Sequence, residues 1–157
     1  MDIQLMAGLG KAGAALALGL AAFGSALGTG TAGMASIGAW KKAYAQNKSA
    51  PFILITFIGA PLSQTIYGMI LMNLMLQVSN QALQAGAGFV NWPGMLAAGL
   101  AGGLAMGASS WYQGKAGAAA ADALGETGQG FGNYLMAIGI VETVALFVMV
   151  FIQGTFR

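Results

Sequence analysis

Long apolar stretches separated by short polar segments form the main pattern of this chain. Between Lys11 and Lys41 the sequence is an uncharged run rich in Ala, Gly and Leu, and 66 uncharged residues lie between Lys48 and Lys115. A transmembrane helix needs about 20 apolar residues, so the second run is long enough for two helices. The pattern therefore predicts an integral membrane protein built from helices.

Breaker residues indicate where these helices end and begin. A polar segment after Gln77 predicts the end of the second span, and Pro93 predicts the start of the third, because proline fits the first turn of a helix. The last span runs from about Gly130 to Ile152 and contains one charge, Glu142. We therefore predict an all-α integral membrane protein with four transmembrane helices.

The composition excludes most enzyme classes. Only 6% of the residues are charged and 57% are apolar, whereas soluble domains carry about 25% charged residues. The sequence contains neither His nor Cys, which removes the usual ligands of zinc and haem, the thiol nucleophile and the Ser-His-Asp triad. A net charge of +2 is too small for a nucleic-acid-binding surface. We predict a membrane protein that is not an enzyme and binds no nucleic acid.

The first span has a second interpretation, a cleaved signal peptide. Lys11 precedes the apolar run, and Gly24-Ser25-Ala26 is similar to a cleavage site. However, the run is longer than the apolar region of a signal peptide and continues through Gly33. This length favours a transmembrane helix.

The lysines predict the orientation in the membrane. The middle connection has no charge, and four lysines lie in or beside the two hairpin loops: Lys41, Lys42, Lys48 and Lys115. Basic loops stay in the cytoplasm. We predict a multi-pass plasma-membrane protein with cytoplasmic hairpin loops and both termini outside. Lys11 and Arg157 weaken this bias without reversing it.

The two halves of the chain have the pattern of a duplicated helical hairpin. Gly24-x-Ala26-x-Gly28 recurs as Gly103-x-Ala105-x-Gly107 with an offset of 79, and Gln64-Thr65 lies 78 positions before Glu142-Thr143. Similar offsets in both helices of the hairpin predict parallel repeats. We assign the first transmembrane hairpin to residues 1–85 and the second, which carries Glu142, to residues 86–157.

Spans one and three are rich in small residues, whereas spans two and four are bulky. Gly and Ala predominate in the first and third, and large side chains such as Phe52 and Phe147 lie in the second and fourth. In lipid, helices associate by close packing of small residues. This division predicts a closed ring of many copies with spans one and three inside. The glycines alone fit a compact four-helix bundle equally well.

Glu142 lies near the middle of the fourth span. A charge at that depth costs at least ~2.5 kcal/mol, so such a carboxyl normally pairs with a partner or has a function. The structural alternatives are an ion pair with Lys115 or a permanently protonated carboxyl. Lys115 is close enough to the hairpin loop to extend its amine to cytoplasmic water instead. We therefore favour a functional carboxylate.

Four other polar side chains are predicted at the depth of Glu142. Counting residues from the second hairpin turn places Gln113 level with Glu142. The same count from the first turn places Ser63 and Gln64 at nearly this depth, and Tyr67 shares their helix face. Polar groups in a helical bundle often only bond neighbouring helices. Five of them at one depth favour a site.

Oxygen atoms dominate this layer and limit its chemistry. Oxygen ligands around one negative charge suit a hard monovalent cation or a proton, whereas a divalent ion normally needs more carboxylates. Na+ must replace its water shell with several oxygens, which Glu142, the serine hydroxyl, the two amides and a backbone carbonyl beside Pro61 can supply. A proton needs none of these ligands. The surplus of oxygens favours Na+, with H+ as the alternative.

These residues resemble a known family, the duplicated four-helix proteolipid of V-type rotary ATPases. In those complexes it forms the membrane ring and is designated c or K, and the likeness is greatest to its sodium-translocating bacterial form. The resemblance covers essentially the whole chain. It rests on three motifs: Pro61-Leu62-Ser63-Gln64-Thr65-Ile66-Tyr67-Gly68, Gln113-Gly114-Lys115 and Val141-Glu142-Thr143.

The resemblance implies a role for each site residue. Glu142 would be the ion-translocating carboxylate, Tyr67 would donate a hydrogen bond to it, and the other Na+ ligands would be Ser63, Gln64, Gln113 and the carbonyl of Ala60. The Ala60 assignment is the family's, since a helix proline alone would free a carbonyl nearer Phe57. Ser63 stands where the family has Thr, and Thr65 replaces a small residue. Neither departure removes an oxygen.

The resemblance also implies partners and a mechanism. Identical subunits would form a ring in the membrane lipid and turn against a stator subunit that has an essential Arg. A central-stalk subunit would dock on the cytoplasmic loops and couple the ring to ATP. The predicted function is Na+ transport by this rotor ring. Proton transport by the same machine is the first alternative, and a structural or pore-forming four-helix protein is the second.

Overall fold

The computed structural model describes residues 1–156, and all regular structure within them is helical. The α-helices are α1 (Ile3–Ala45), α2 (Ile55–Gly59), α3 (Ser63–Gln84), α4 (Trp92–Thr127) and α5 (Phe131–Gly154), with 3-10 turns at Phe52–Leu54 and Ala60–Leu62. Because Phe52–Gln84 is nearly continuous, these elements form four rods. The predicted all-α class is confirmed. Arg157, which entered the orientation argument and the second hairpin, lies outside the described residues.

The second rod is interrupted at Pro61. Proline has no N–H group, and its ring clashes with the carbonyl four residues earlier. The chain accordingly passes from α2 into the 3-10 turn Ala60–Leu62 and returns to an α-helix at Ser63. A 3-10 turn inside a helix breaks the regular ladder of hydrogen bonds. Carbonyl oxygens at this point of the rod are therefore available to other groups.

Helices α1 and α4 run parallel and pack backbone against backbone. Three pairs of glycines form this contact, and a Cβ atom added to one member of each pair would overlap the backbone of α1 or α4: Gly13–Gly99, Gly24–Gly107 and Gly28–Gly114. Only residues without a side chain permit such an approach, which is a usual mode of helix association in lipid. The small residues of the first and third spans therefore serve their mutual contact.

The same contacts correct the predicted register between the two halves. An offset of 79 would place Gly24 level with Gly103, but Gly24 lies against Gly107 and Gly28 against Gly114, which are 83 and 86 positions later. A shift of four to seven residues is one to two helical turns and keeps the same residues on the same face. A stripe of Gly and Ala therefore matches itself in either register.

The outer surface of the four rods exposes many large apolar side chains. Helix α5 buries only Ile138, Ala145 and Met149, and its exposed residues include Ile140, Phe147 and Phe151. Within residues 1–156, three rods have the length and apolarity of a membrane crossing: Ile3–Ala45, Phe52–Gln84 and Phe131–Gly154. The fourth rod, α4, has 36 residues but is diluted by Gly and polar side chains. A multi-pass membrane protein is supported, and the fourth crossing stays a prediction.

The predicted boundaries of the middle connection have different outcomes. The Asn91 side chain accepts a hydrogen bond from the N–H of Gly94 at 3.2 Å, and Pro93 occupies the first turn of α4, which confirms the predicted start. The predicted end of the second span near Gln77 stays a prediction, and the helix α3 itself continues to Gln84. Polar side chains there end the apolar stretch, but Gln and Asn do not interrupt a helical backbone as Pro does.

Two apolar clusters flank a polar layer in the interior. The loop-side cluster includes Leu54, Phe57, Ala121 and Ile138. The connection-side cluster includes Leu71, Met106, Ala145 and Met149. On three rods, a polar residue lies between the two clusters: Gln64 between Phe57 and Leu71, Gln113 between Met106 and Ala121, and Glu142 between Ile138 and Ala145. The fold thus brings these polar residues to one depth, with an apolar cluster above and below them.

Candidate ion-binding site

Glu142 extends from α5 toward α3 and α4, and both of its carboxylate oxygens accept hydrogen bonds. The hydroxyl of Tyr67 on α3 donates to Oε1 at 2.6 Å. The amide Nε2 of Gln113 on α4 donates to Oε2 at 3.1 Å. An ionised carboxylate only accepts hydrogen bonds, so two donors fit the charged form. Glu142 itself is half-buried.

Gln113 and Gln64 form a buried pair behind the carboxylate. Both side chains are fully buried. Nε2 of Gln64 donates to Oε1 of Gln113 at 2.7 Å, and Nε2 of Gln113 also lies 3.3 Å from the carbonyl of Ile138. Because the oxygen of Gln113 accepts from Gln64, its amino group points to Glu142. The pair therefore links α3 to α5 through α4.

Ser63 connects this pair to the broken backbone of the second rod. Its Oγ lies 3.1 Å from the carbonyl oxygen of Ala60 and 3.1 Å from Oε1 of Gln64. A hydroxyl has one hydrogen, so Ser63 donates to one of these oxygens at a time. Ala60 begins the 3-10 turn, which places its carbonyl in the same cluster. The proline alone would free a carbonyl nearer Phe57. The side chain of Phe57, however, belongs to the apolar loop-side cluster.

The structure thus brings six predicted residues into one hydrogen-bonded group, hereafter the Glu142 cluster: Ala60, Ser63, Gln64, Tyr67, Gln113 and Glu142. Its oxygens come from one carboxylate, two amides, two hydroxyls and one carbonyl. No group of three His, Cys, Asp or Glu side chains able to hold a metal ion occurs within residues 1–156. One negative charge among neutral oxygens suits a monovalent cation or a proton.

Lys115 does not pair with Glu142. Its Nζ lies 4.3 Å from the ring centroid of Trp111 and 4.9 Å from that of Tyr112, which is a cation–π arrangement. The ion-pair alternative for Glu142 is therefore not the arrangement in the structure.

A salt bridge lies instead at the hairpin-loop end of the molecule. Nζ of Lys42 and Oε1 of Glu126 are 2.6 Å apart, and both side chains are exposed. With 43 residues, α1 is about 65 Å long, twice the hydrocarbon thickness, so about half of it extends beyond the hydrocarbon core, and the exposed charge of Lys42 in its last turn fits that outer part. The hydrogen bond, and then the charge of the partner, raise the pKa of Lys42 and lower the pKa of Glu126.

Three serines beside the Glu142 cluster were missed by sequence analysis. Oγ of Ser110 donates to the carbonyl of Pro61 at 2.6 Å and lies 3.1 Å from Oγ of Ser25. Oγ of Ser109 donates to the carbonyl of Val141 at 2.8 Å. The available signal was spacing, because Ser109 precedes Gln113 by one helical turn and shares its face.

Comparison with known families supports a transport role. Residues 96–152 match the family of the ATP synthase C subunit. The matched segment contains most of α4 and α5, and so includes Gln113 and Glu142. Among curated proteins, the comparison found no match. The match supports a c-type proteolipid of an ATP synthase or rotary ATPase. Because members of this family are non-catalytic membrane subunits, the prediction that the chain is not itself an enzyme is confirmed.

Proposed function

We propose that this chain is the rotor-ring subunit of a V-type Na+-ATPase and that each copy carries Na+ on Glu142. The observation that supports the proposal most directly is the chain of hydrogen bonds from Glu142 through Gln113 and Gln64 to Ser63. It gathers several neutral oxygens beside one carboxylate in a layer closed by two apolar clusters. A proton alone does not need this set of oxygens.

Binding would exchange hydrogen bonds for contacts between the ion and oxygen atoms. Glu142 supplies the negative charge, while Ser63, Gln64, Gln113 and the Ala60 carbonyl supply neutral oxygens. Tyr67 remains bonded to the carboxylate and holds its orientation. Because the charges of Na+ and the carboxylate cancel, the loaded site crosses lipid at a much lower cost than a bare charge.

Exchange of the ion requires partners. Glu142 is half-buried on α5, the rod with the fewest buried residues, so it lies near the surface that faces lipid or a stator. An Arg of the stator subunit would compete with Na+ for the ionised carboxylate. The basic hairpin loops would face the cytoplasm and dock the central stalk. Identical subunits would form the ring, with α1 and α4 on its inner side.

One ionisable site in each chain favours a pump over a synthase. The proposal retains two hairpins, residues 1–85 and 86–157, of which only the second has an acid within its span. Gln64 lies 78 positions before Glu142 and supplies an amide in place of a second carboxylate. Fewer ions then move per helix turned, which lowers the number of ions moved for each ATP hydrolysed and increases the ion gradient that one ATP can sustain.

Proton transport by the same ring is the second candidate, and the Tyr67 contact is the observation that favours it. A phenol both donates and accepts, so Tyr67 can accept a hydrogen bond from a protonated Glu142 as well as donate to an ionised one. The Gln113 amide fits either form, because Oε2 of Glu142 accepts from its amino group whether or not Oε1 carries a proton. The surplus of neutral oxygens in the Glu142 cluster is what favours Na+ as the cargo.

Protection of Glu142 from a lipid-soluble carbodiimide tests the proposal. This reagent modifies the protonated carboxyl, so bound Na+ slows the reaction. We expect millimolar Na+ to protect Glu142 in membranes that contain the assembled complex, whereas choline at the same ionic strength does not. E142Q identifies the modified residue because it removes the labelling. If labelling is indifferent to Na+, the sodium proposal is wrong and proton transport takes its place.

A further inference from the structure

Ser110 fastens the broken segment of the second rod to α4. Its hydroxyl is fully buried and lies 2.6 Å from the carbonyl oxygen of Pro61. This carbonyl belongs to the 3-10 turn that also presents the Ala60 carbonyl and leads directly into Ser63. A change in the position of Pro61 would therefore move two of the proposed ligands together.

The direction of the hydrogen bonds makes Ser110 the central member of a short chain. A carbonyl only accepts, so the single hydrogen of Ser110 goes to Pro61. Ser25 Oγ, 3.1 Å away and almost fully buried, must then donate to Ser110. Gly28 lies against both Ser110 and Pro61, where any side chain would collide. Helix α1 thus supports this fastening from behind.

Ser109, the preceding residue, fastens the other side of the site. Its hydroxyl donates to the carbonyl of Val141 at 2.8 Å, and Val141 directly precedes Glu142. Gln113, one turn further along the same face of α4, contacts Ile138 and Glu142. Two consecutive serines of α4 therefore bond to different segments: Ser110 bonds to the 3-10 turn and Ser109 bonds to α5.

We propose that Ser109 and Ser110 are positioning residues that set the separation between the Ala60–Ser63 segment and Glu142, and thereby the preference of the site for Na+. This inference rests on the proposed function, because it concerns the ion that the Glu142 cluster holds. A shell of several oxygens binds a cation well only when all of them keep their distances together. A proton on Glu142 needs one oxygen partner and tolerates displacement of the others.

Serine-to-alanine variants in the assembled complex test this role. In S110A we expect the Na+ concentration that half-protects Glu142 from carbodiimide to rise about tenfold, the effect of one buried hydrogen bond. Li+ is smaller than Na+, so protection by Li+ reports the size of the shell. We expect the ratio of half-protecting Li+ to Na+ concentrations to move toward one. Labelling without added ions should keep its wild-type rate.

Two further variants separate positioning from general damage. Ser79 on α3 is also fully buried, and its hydroxyl has no hydrogen-bond partner among the described residues, so S79A removes the same group without removing a contact. We expect S79A to behave as wild type in all three measurements. S109T keeps a hydroxyl and has slight room at 7% exposure. It should restore most of the Na+ protection that S109A loses.

The possible failures are distinct. If Na+ does not protect the wild type, the sodium proposal fails and this inference falls with it. If Na+ protects the wild type, and protects S110A and S109A at the same concentrations and with the same Li+ ratio, only the positioning role is refuted. If S110A does not assemble, S109A with its S109T partner decides by the same measurements. A loss of labelling without added ions in S109A would indicate structural damage and would also refute the positioning role.

Discussion

The hydroxyl of Tyr67 lies 2.6 Å from Oε1 of Glu142, although 75 positions separate the two residues in the chain. The contact joins α3 of the first hairpin to α5 of the second. Because the other carboxylate oxygen accepts from Gln113 on α4, Glu142 is held by two rods at once. The orientation of the one membrane-buried acid in residues 1–156 therefore depends on both halves of the chain.

Removal of this hydroxyl should weaken ion binding without abolishing it. A hydrogen bond to a charged group contributes about 1.5–3 kcal/mol, so we expect Y67F to raise the half-protecting Na+ concentration roughly tenfold or more. Carbodiimide labelling in assembled membranes measures this change. Tyr44 is exposed at the end of α1, and Y44F serves as the matched control. Identical Na+ protection in Y67F and wild type would contradict a supporting role for Tyr67.

The glycine pairs between α1 and α4 predict a sharp dependence on position. A Cβ atom at Gly24 would overlap the backbone of Gly107, which cannot move aside as a flexible side chain does. We expect G24A to lower the stability of the purified protein in detergent by about 3 kcal/mol, the upper end for overpacking. Thermal unfolding followed by circular dichroism measures the loss.

Gly38 provides the control for this comparison. It lies on the same helix, but a Cβ atom there would meet no neighbour within 4 Å. Alanine favours a helix over glycine by up to ~1 kcal/mol, so G38A should be neutral or slightly stabilising. Equal melting temperatures for G24A and G38A would show that the close approach of α1 and α4 is not needed.

Replacement of the buried acid separates transport from architecture. Gln has nearly the shape of Glu, and in E142Q its amide oxygen can still accept from Tyr67 or Gln113. We expect E142Q to assemble normally but to lose coupled ion transport completely, because a neutral amide cannot bind and release a cation. Assembly is measured by native electrophoresis and transport by ion uptake into vesicles. Loss of assembly would favour the structural four-helix alternative.

Much of the site could be predicted because its elements obey simple periodicities. The depth of Gln113 relative to Glu142 follows from the rise per residue of a helix and requires only the position of the hairpin turn. The free carbonyl beside Pro61 follows from the missing N–H group of proline. The hydrogen bond from Tyr67 to Glu142 agrees with the prediction that Tyr67 shares a helix face with Ser63.

Other features depend on contacts between segments that are far apart in the chain, which no single stretch of sequence indicates. The predicted register of α1 against α4 is wrong by one to two turns, because a stripe of small residues matches itself after each such shift. The predicted end of the second span near Gln77 marks the end of the apolar stretch, whereas the helix α3 continues to Gln84. The roles of Ser109 and Ser110 depend on carbonyl groups of distant segments, which no local pattern indicates.

The exposed pair Lys42–Glu126 predicts how stability depends on pH at the hairpin-loop end. The folded state lowers the pKa of Glu126, so its contribution is complete above the unfolded pKa and is lost as the pH falls through the lowered value. The folded state raises the pKa of Lys42, so that contribution is complete below the unfolded pKa and is lost as the pH rises through the raised value. The pair should therefore stabilise the fold across the neutral range, and only slightly, because both groups are exposed.

The difference between wild type and E126Q isolates this effect. We expect a small difference in melting temperature that is constant near neutral pH and disappears in acid, where Glu126 is protonated in both the folded and unfolded states. High salt should reduce the difference at neutral pH, because exposed charges are screened. Asp122, which only adds a weak charge interaction with Lys42, provides the control variant D122N. A difference between wild type and E126Q that persists unchanged in acid would mean that the residue contributes by packing rather than by charge.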